Sequence, residues 1–465
     1  MVTPTPSAED IYDVAIVGGG IAGLAAAWRL RHRRCVVLEA DARPGGRLHS
    51  IEGSGVPLNL GAHMVPGAGS AVGGLVAELG LEARPLPPNL FGLDYRGRRH
   101  LHVPTMLLPF ALRLSPTERL AFIRMGATLR LGARRSVVGG RRRAGESADD
   151  VRARQLAFED ERTLADAIGP LPERVDLLFR GLTERNGADP ADMSAGHGLR
   201  SFANVWAKTA PGTNLVGGSG VLPAALASRL GSVFRPMHAV LHARPARSEA
   251  DPPVTVTWRG PAGEGAIGAR TCILATPAPV TRAIAPDLTP AALSALDAIR
   301  YGAFLTMSIA LDPMERVPWE GTYAIATPDL GFSVLFNHDA MRRERNGHSV
   351  MLFRGARGAS RGIEEEEPTL VSRWLEDLET RFPETRGRVR DVAVSKWRAG
   401  APFAAPGRSR LQPALDAVDG PFLLAGDYLE FPNMEAAAGS GLRAAERAER
   451  LLDAPSAPPP SRTPP

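Results

Sequence analysis

The sequence predicts an α/β protein in which a doubly wound sheet domain, built from separated pieces of chain, is joined to a second, α+β domain. The first observation is a strand–helix–strand unit near the amino terminus, with YDVAIV at Tyr12–Val17, a helical stretch at Ile21–Arg31 and CVVLE at Cys35–Glu39. Such a unit with short connections begins a doubly wound sheet. The second observation is that strand character returns only much later, at Val233–Ala275 and Phe422–Ala425. The sheet is therefore expected to be discontinuous in sequence.

The intervening segments predict a second domain with a helical insertion. From about Phe91 to Trp206 there is little strand signal, and helical periodicity is found at Ser115–Arg130 and Gln155–Leu182. The first of these opens with S-P-T-E, the pattern of a capping box. Further strands are predicted at Phe304–Leu311 and Gly331–Phe336, and an alanine-rich helix at Met434–Leu452. The predicted division is a sheet domain from 10–90, 211–290 and 386–453, a second domain from 91–210 and 291–385, and disordered ends at 1–9 and 454–465.

Composition narrows the class of protein. The 465 residues carry a formal net charge of +5, almost all of the positive charge being arginine. The two cysteines, Cys35 and Cys272, are too few for a disulfide framework, wrongly spaced for a metal site, and are expected to be small buried side chains. No secretory signal or membrane-spanning run is found, which favours a cytoplasmic protein.

Two segments could contact a partner at the surface, and for both an interpretation without a partner is preferred. The arginines at 134, 135 and 141–143 are interpreted as part of a solvated loop rather than a nucleic-acid site. The apolar stretch Val103–Leu112 is interpreted as a buried helix, with a peripheral membrane contact as the weaker alternative. No nucleic acid partner is expected.

A glycine-rich turn after the first strand indicates a dinucleotide site. Gly18, Gly20 and Gly23 form G-x-G-x-x-G between a strand and a helix, the context in which the backbone approaches a pyrophosphate and a helix amino terminus faces it. Glu39 ends the second strand, at a spacing from Gly18 that suits a carboxylate bound to the ribose hydroxyls. The first domain is therefore expected to be Rossmann-like.

The following segments separate one dinucleotide from another. Glu39 is followed by A-D-A-R-P-G-G-R, with Arg43, Gly45, Gly46 and Arg47, and L-G-A-H places Gly61, Ala62 and His63 further on. With these motifs the chain resembles the superfamily of flavin-containing amine oxidases, protoporphyrinogen oxidases and carotenoid- or squalene-type desaturases. The resemblance implies an FAD-binding domain in which Glu39 binds ribose, the R-x-G-G-R segment follows the pyrophosphate, and Gly61–His63 passes close to the flavin, His63 through its backbone.

The resemblance continues to the end of the chain. G-G-S-G at 217–220 with Leu222 and Pro223 is similar to a family segment, and Val240 falls where a backbone group commonly meets adenine. A-G-D-Y at Ala425–Tyr428 resembles the second FAD fingerprint, in which Asp427 contacts the ribityl–pyrophosphate region and the helix from Met434 points at the flavin. No cysteine lies near this fingerprint, so FAD is expected to be non-covalent. The expected cofactor-binding residues are Gly18, Gly20, Ile21, Ala22, Gly23, Glu39, Ala40, Arg43, Gly45, Gly46, Arg47, Gly61, Ala62, His63, Val240, Gly426, Asp427, Met434 and Glu435.

Three departures from the amine oxidase pattern bear on the substrate. Thr306 stands where the family carries a lysine near flavin N5, and Asn433 and Gly407 stand where two aromatic rings enclose an amine. The stretch R-N-G-A-D-P-A-D-M-S-A at Arg185–Ala195 is instead similar to the substrate domain of protoporphyrinogen oxidases and desaturases, which is largely helical and accommodates bulky apolar substrates.

The expected function is FAD-dependent dehydrogenation of a hydrophobic small molecule, at a CH–CH or CH–NH bond, by hydride transfer to flavin N5. Oxygen or a quinone-like molecule is the expected electron acceptor. An amine oxidase for an unusual amine remains the first alternative, and a non-redox flavoprotein such as an isomerase the second. Residues expected near the substrate are Thr306, Trp397 and Tyr301 as catalytic candidates, Asn337 and His338 as polar contacts, and Leu107, Leu108, Phe110, Leu112 and Phe122 either as pocket lining or as the core of the helical insertion.

Overall fold

The computed structural model describes residues 11–203, 205 and 212–454. The predicted disordered end at 1–9, residues 455–465 of the predicted tail, and Trp206 lie outside them. Within the described residues the strands are β1 (Ile11–Val17), β2 (Cys35–Leu38), β3 (Ser50–Gly53), β4 (Val56–Asn59), β5 (Ala83–Pro85), β6 (Asn89–Tyr95), β7 (Arg98–His100), β8 (Thr213–Leu215), β9 (Phe234–Arg235), β10 (Ala239–Pro245), β11 (Val254–Gly260), β12 (Gly263–Leu274), β13 (Arg300–Leu311), β14 (Thr322–Ala326), β15 (Val334–Asn337), β16 (His348–Gly355), β17 (Val389–Phe403) and β18 (Phe422–Leu424). The α-helices are α1 (Ile21–Arg29), α2 (Ala71–Glu78), α3 (Leu108–Ala111), α4 (Pro116–Gly139), α5 (Ala148–Leu156), α6 (Leu164–Ile168), α7 (Glu173–Thr183), α8 (Ala195–Ser201), α9 (Val221–Leu230), α10 (Ala278–Ile284), α11 (Pro290–Ala298), α12 (Ala356–Gly362), α13 (Glu367–Arg381), α14 (Gln412–Asp416) and α15 (Met434–Asp453).

The first sheet has the order β10-β11-β12-β1-β2-β9, with β18 paired to β12. Strands β12, β1, β2 and β9 are parallel neighbours, and β10–β12 form an antiparallel extension. The parallel strands are continuous apolar runs because helices cover both faces. Helices α1, α9 and α15 share one buried core with this sheet, and α10, α11 and α14 share the other. The predicted α/β class with a discontinuous Rossmann-like domain is confirmed.

The second sheet has the order β17-β13-β16-β15-β14-β6-β7 and is antiparallel except for the β14–β6 pair. One face packs on α12 and α13 through buried residues such as Leu305, Met307 and Trp374. The opposite face meets the end of β4 and the residue after it, since the hydroxyls of Thr306 and Ser308 donate to the carbonyl oxygens of Leu60 and Asn59. The predicted second α+β domain with its helical insertion is therefore present, while the domain boundaries themselves stay predictions.

Three local predictions were wrong. The segment from Phe91 carries a strand, β6, because it pairs with β14 from a distant part of the chain, a contact that leaves no local signal. Gln155–Leu182 is not one helical stretch but parts of three helices, interrupted around Gly169 and Pro170. Arg134 and Arg135 belong to α4 rather than to a loop.

The stretch Val103–Leu112 also departs from its prediction. It contains a short 3₁₀ turn and α3, and the side chains of Leu107 and Phe110 are exposed, so they neither form a buried helix nor line an interior pocket. Leu112 is buried, and Leu108 and Phe122 pack beside it in a cluster with Leu178. These three belong to the core of the helical insertion, the alternative already considered for them.

Two further local predictions, a helix cap and the burial of both cysteines, are confirmed. Ser115 caps α4 in a reciprocal capping box with Glu118, as its sequence indicates. Cys35 and Cys272 are buried in the first sheet, and burial raises the pKa of the Cys35 thiol to about 11. Among the described residues no cluster of histidine, cysteine and carboxylate side chains is placed to hold a metal ion. In the same part of the chain, no helix has both the length and the apolar character needed to cross a bilayer.

Candidate cofactor and substrate site

Two glycine turns meet at the amino end of α1. Gly18 has φ +103°, which an L side chain rarely adopts. A Cβ atom on Gly23 would lie 2.0 Å from the carbonyl oxygen of Gly18, so only glycine permits this turn. The amide of Gly45 donates to the carbonyl oxygen of Gly19 at 2.8 Å, and Gly20 and Gly45 form a parallel bridge. The G-x-G-x-x-G and R-x-G-G-R turns therefore make one surface, above the free N–H groups of α1.

Open space lies over this surface. A Cβ atom on Gly20 would meet nothing within 4 Å, and one on Gly46 would touch only the Cα of Gly20, at 3.6 Å. Helix α1 has no side-chain cap, so its first N–H groups remain available to a phosphate. Its first residues, Ile21 and Ala22, are buried, so their contribution toward a cofactor comes from the main chain.

Glu39, which is predicted to bind ribose, lies beside the glycine surface. Its two carboxylate oxygens accept hydrogen bonds from the amides of Gly19 (2.5 Å) and Asp41 (2.8 Å). Burial raises the pKa of this carboxyl against the lowering effect of those two amides. The amide of His238 donates to the Glu39 carbonyl oxygen at 2.7 Å, which brings the start of β10, with Val240, toward Glu39. Ala40 is exposed beside it.

Arg47 and Asp427 join the amino-terminal and carboxyl-terminal motifs. The guanidinium donates to both Asp427 oxygens, at 2.8 and 2.7 Å, and to the carbonyl oxygen of Gly400 at 3.1 Å. Burial alone would lower the pKa of Arg47, but the charge of the Asp427 carboxylate outweighs it and raises the pKa. Arg43 lies nearby and donates to the carbonyl oxygen of Gly46 at 3.0 Å. The bidentate pair therefore holds together two segments that are distant in sequence.

Helix α15 is anchored at its amino end by side-chain caps. Asn433 accepts from the amide of Ala436 at 2.7 Å and begins the helix. Glu435 accepts from the amides of Ala71 (2.7 Å) and Val72 (3.0 Å), so its carboxylate caps α2. Its predicted contact with the cofactor is therefore left to its main chain. Met434 is buried in the core of the first sheet, and Gly426 donates to Ser440 at 2.8 Å.

The predicted catalytic residues lie along the segment that precedes Gly61. Thr306 and Trp397 both donate to the carbonyl oxygen of Leu60, at 2.9 and 2.8 Å. The next residue, Gly61, packs closely on Arg47: a Cβ atom on Gly61 would lie 2.0 Å from the Arg47 carbonyl oxygen. The Thr306 hydroxyl therefore donates its hydrogen to the main chain. Its catalytic role stays a prediction, as does that of Trp397.

Tyr301, the third catalytic candidate, lies closer to the carboxyl-terminal fingerprint. Its hydroxyl accepts from the amide of Ala278 at 3.1 Å. Burial raises its pKa, and the charge of Asp427 raises it further. This hydroxyl stays protonated near neutral pH, and its catalytic role stays a prediction.

An apolar wall covers the second sheet on the side of His63. Its members pack in one cluster in which Met64, Leu90, Phe91, Phe304 and Phe336 keep partial exposure while their neighbours are buried. We call these five residues the apolar wall. Ala62 beside it is exposed, so solvent reaches the chain next to the wall.

Two uncharged imidazoles lie at one end of the apolar wall. The ring of His63 is 4.6 Å from that of Phe336 and 4.7 Å from that of His338, centroid to centroid. Burial lowers the pKa of His63 to about 4, and burial together with the neighbouring His63 holds the pKa of His338 well below its usual value. Neither ring nitrogen of His338 has a protein partner, and the side chain is fully buried. Asn337, the other predicted polar contact, is instead used locally, donating to the carbonyl oxygen of Thr322 at 3.1 Å.

A guanidinium lies at the other end. Arg185 stands 5.7 Å from the ring centroid of Phe91 and 5.4 Å from that of Phe202, and donates to the carbonyl oxygen of Ser201 at 2.7 Å. Within the described residues no carboxylate forms an ion pair with it. Burial lowers its pKa to about 10, so it remains a cation at neutral pH.

Sequence reasoning did not single out Arg185. Glu184 and Asp189 stand close by in sequence and suggest local ion pairs. In the structure Glu184 lies 3.4 Å from Arg354 and Asp189 lies 3.3 Å from Arg357. Because both carboxylates pair with arginines of the segment 354–357, no local sequence pattern could have shown that neither of them pairs with Arg185.

A family model for flavin-containing amine oxidoreductases matches residues 21–448. The chain belongs to this family. Its members carry FAD, and this chain is an FAD-dependent oxidoreductase; the glycine surface, Glu39 and the open space above Gly20 fit that cofactor. The expectation of FAD is confirmed, while non-covalent attachment stays a prediction.

Curated relatives of this family member match over a short segment. Protoporphyrinogen oxidase 2 of Arabidopsis thaliana is 42% identical over 73 residues, and the peroxisomal N(1)-acetyl-spermine/spermidine oxidase of Bos taurus is 49% identical over 74. Each match spans 15% of this chain and only 14% of the relative's length.

Solved structures match over nearly the whole fold. Putrescine oxidase bound to putrescine has a TM-score of 0.73 at 19% identity, covering 94% of this chain and 98% of that one. Cyclohexylamine oxidase from Brevibacterium oxydans has a TM-score of 0.73 at 20% identity, covering 95% and 99%. These likenesses establish the fold.

Proposed function

We propose that this flavoenzyme dehydrogenates a hydrophobic, non-amine small molecule, in the manner of protoporphyrinogen oxidases and desaturases. The observation that carries the proposal is the set of side chains at and around the apolar wall. The wall is built from apolar side chains, the two histidines at one end of it are uncharged, and the cation of Arg185 lies against Phe91 at the other end. A protonated amine brought into such surroundings would lose its hydration without gaining a carboxylate partner, and it would be repelled by Arg185.

The positions expected to serve an amine support this proposal. Asn433 is occupied as the cap of α15, Gly407 has φ +81° and no ring, and the Thr306 hydroxyl is bonded to Leu60. When bound, FAD supplies a two-electron acceptor at N5, which oxygen or a quinone-like molecule then reoxidises. The protein's contribution is to hold an apolar C–H bond against it in a water-poor pocket.

Amine oxidation is the competing proposal. The relative of Bos taurus is named for polyamine oxidation, and the structural neighbours are named for putrescine and cyclohexylamine. Against it stands the unpaired Arg185, because those substrates are cations at neutral pH.

Anaerobic mixing of the oxidised holoenzyme with substrate classes separates these proposals. Loss of the flavin absorbance is expected with a porphyrinogen or a partly saturated polyene, and not with putrescine, cyclohexylamine or N(1)-acetylspermine. Rapid bleaching by an amine alone would overturn the proposal. Formation of an isomer of the substrate, without bleaching and without consumption of an electron acceptor, would overturn it in favour of a non-redox flavoprotein.

A further inference from the structure

Helix α4 displays an apolar stripe to solvent along most of its length. Leu120, Ile123, Leu131 and Val138 recur at spacings close to whole turns, which places them on one face of the helix. Their exposed fractions are 69%, 41%, 61% and 60%. The opposite face, with Met125, Leu129 and Ala133, is the one that packs into the helical insertion. Both faces of α4 are therefore apolar, and only one is covered.

The turn and helix around α3 extend this stripe. Met106 and Phe110 are 60% and 63% exposed. The segment is held against α4 by Arg119, whose guanidinium donates to the carbonyl oxygen of Pro109 at 3.1 Å, and by Arg130, whose guanidinium lies 3.4 Å from the Met106 sulfur. We call the combined surface the apolar platform, consisting of Met106, Leu107, Phe110, Leu120, Ile123, Leu131 and Val138.

Exposure of this kind is concentrated here. Of the fourteen large apolar side chains that are exposed in the described residues, eight lie between 106 and 138. Single exposed apolar residues are ordinary on protein surfaces, whereas a contiguous group marks a contact with another apolar phase.

The charges around the apolar platform indicate what that phase is. All five cationic residues of α4 are arginines, and its one acidic residue, Glu118, is occupied by the capping box. Arg124, Arg134 and Arg113 are exposed beside the platform, and three further exposed arginines, 141–143, follow the helix. An apolar face rimmed by arginine is the pattern of a helix that lies in the interface of an anionic membrane.

A second copy of this chain fits the same surface less well. A two-fold pairing of the apolar platform would bring each arginine rim against its own copy, and like charges at close range oppose association. Anionic headgroups would instead pair with those arginines while the platform enters the acyl boundary. The rim therefore favours lipid over a partner subunit.

We propose that the apolar platform docks this enzyme on the surface of an anionic lipid bilayer, with α3 and α4 lying in the interface. The proposal goes beyond the oxidation reaction and does not depend on which substrate is oxidised. It adds a second role to the helical insertion, which would hold the enzyme at the phase where apolar molecules are dissolved.

Vesicle co-sedimentation of the FAD-loaded, full-length protein tests this. We expect binding to vesicles of phosphatidylcholine with one third phosphatidylglycerol, much weaker binding to phosphatidylcholine alone, and loss of binding at high salt. The Leu120→Glu/Leu131→Glu variant should lose affinity by about tenfold or more, because it removes two apolar side chains that would enter the lipid and adds two charges of the lipid's own sign. Flavin content and thermal unfolding of this variant should match the parent, since both side chains are exposed.

The Met237→Glu/Val280→Glu variant is the matched control. Both residues are exposed apolar side chains on the first sheet domain, far from the platform in sequence, and their replacement should leave vesicle binding unchanged. Failure of the parent protein to sediment with anionic vesicles would overturn the proposal, and so would equal loss in both variants. A concentration-dependent dimer without lipid, abolished by Leu120→Glu/Leu131→Glu, would overturn it in favour of a second copy. If the double variant misfolds, a second variant gives an independent test. Replacing Arg134 and the arginines at 141–143 with glutamine should weaken binding to the anionic vesicles and reduce its dependence on salt.

Discussion

Around β1 the contacts that define the site are made by main-chain atoms, whereas around β13 they are made by side chains from strands far apart in sequence. The glycine surface depends on φ angles and on close backbone approach at Gly18, Gly23 and Gly45. The apolar wall and Arg185 depend on which side chains face inward after β6, β13 and β15 have paired. Substitutions that add an atom around β1 should therefore abolish FAD binding, whereas substitutions around β13 should change ligand binding by degrees that follow charge and shape.

The largest expected effect is at Gly23. Gly23→Ala places a Cβ atom 2.0 Å from the Gly18 carbonyl oxygen, so α1 must move away from β1 and the glycine surface is lost. We expect purified protein with little or no FAD, measured as the ratio of flavin to protein absorbance. Gly74→Ala in α2, where a Cβ atom meets nothing within 4 Å, is the control and should keep full FAD content. Full FAD content in Gly23→Ala would show that the turn is more pliable than described.

The next largest effect is expected at the ion pair between Arg47 and Asp427. Asp427→Asn removes a buried counter-charge from the Arg47 guanidinium, which is 29% exposed, and we expect a loss of about 2 to 3 kcal/mol. The measurement is the temperature at which bound flavin is released on heating. Glu264→Gln breaks the exposed pair with Arg259 and should change stability by less than about 1 kcal/mol. Equal effects of the two variants would contradict the difference between buried and exposed pairs.

These two predictions concern features that the sequence made visible. G-x-G-x-x-G, R-x-G-G-R and Asp427 could be located because the turns need glycine at fixed spacing and because each follows an apolar strand. The wall could not be located, because Phe91 comes to lie near Phe336 only through long-range strand pairing. Thr306 was found in the sequence, but not its bond to Leu60, which depends on how the end of β4 packs against β13.

A third prediction concerns acid stability. The pKa of His338 is lowered by burial, so the unfolded chain binds a proton below about pH 6.5 that the folded chain does not. Stability is therefore complete above pH 6.5 and falls as the pH drops. His338→Leu should remove this contribution. Between pH 6.5 and pH 5 its free energy of unfolding should fall by about 2 kcal/mol less than that of the parent, measured by unfolding temperature against pH. His242→Leu, at an exposed position of β10, should keep the parent's pH dependence; the same dependence in His338→Leu would contradict the assignment.

The smallest expected effect is on ligand discrimination. We expect the holoenzyme to bind 4-phenylbutan-1-ol more tightly than 4-phenylbutylamine, measured by perturbation of the visible flavin spectrum. Arg185→Gln should narrow that preference by about tenfold, equivalent to about 1.4 kcal/mol, because it removes the cation that repels the amine. Arg185→Lys keeps the charge and should keep the preference. An unchanged preference in Arg185→Gln would mean that the guanidinium does not face the ligand.

The packing of α15 has a consequence for how the protein is made. A Cβ atom on Gly441 would lie 2.0 Å from the carbonyl oxygen of Ala22, and Arg33 forms an ion pair with Asp453, so α15 lies directly on α1. Ribosomal synthesis releases α1 long before this partner exists, because nearly all of the described chain lies between the two helices. Helix α1 must therefore stay without this packing partner until α15 has been synthesised, and stable FAD binding is expected only after that.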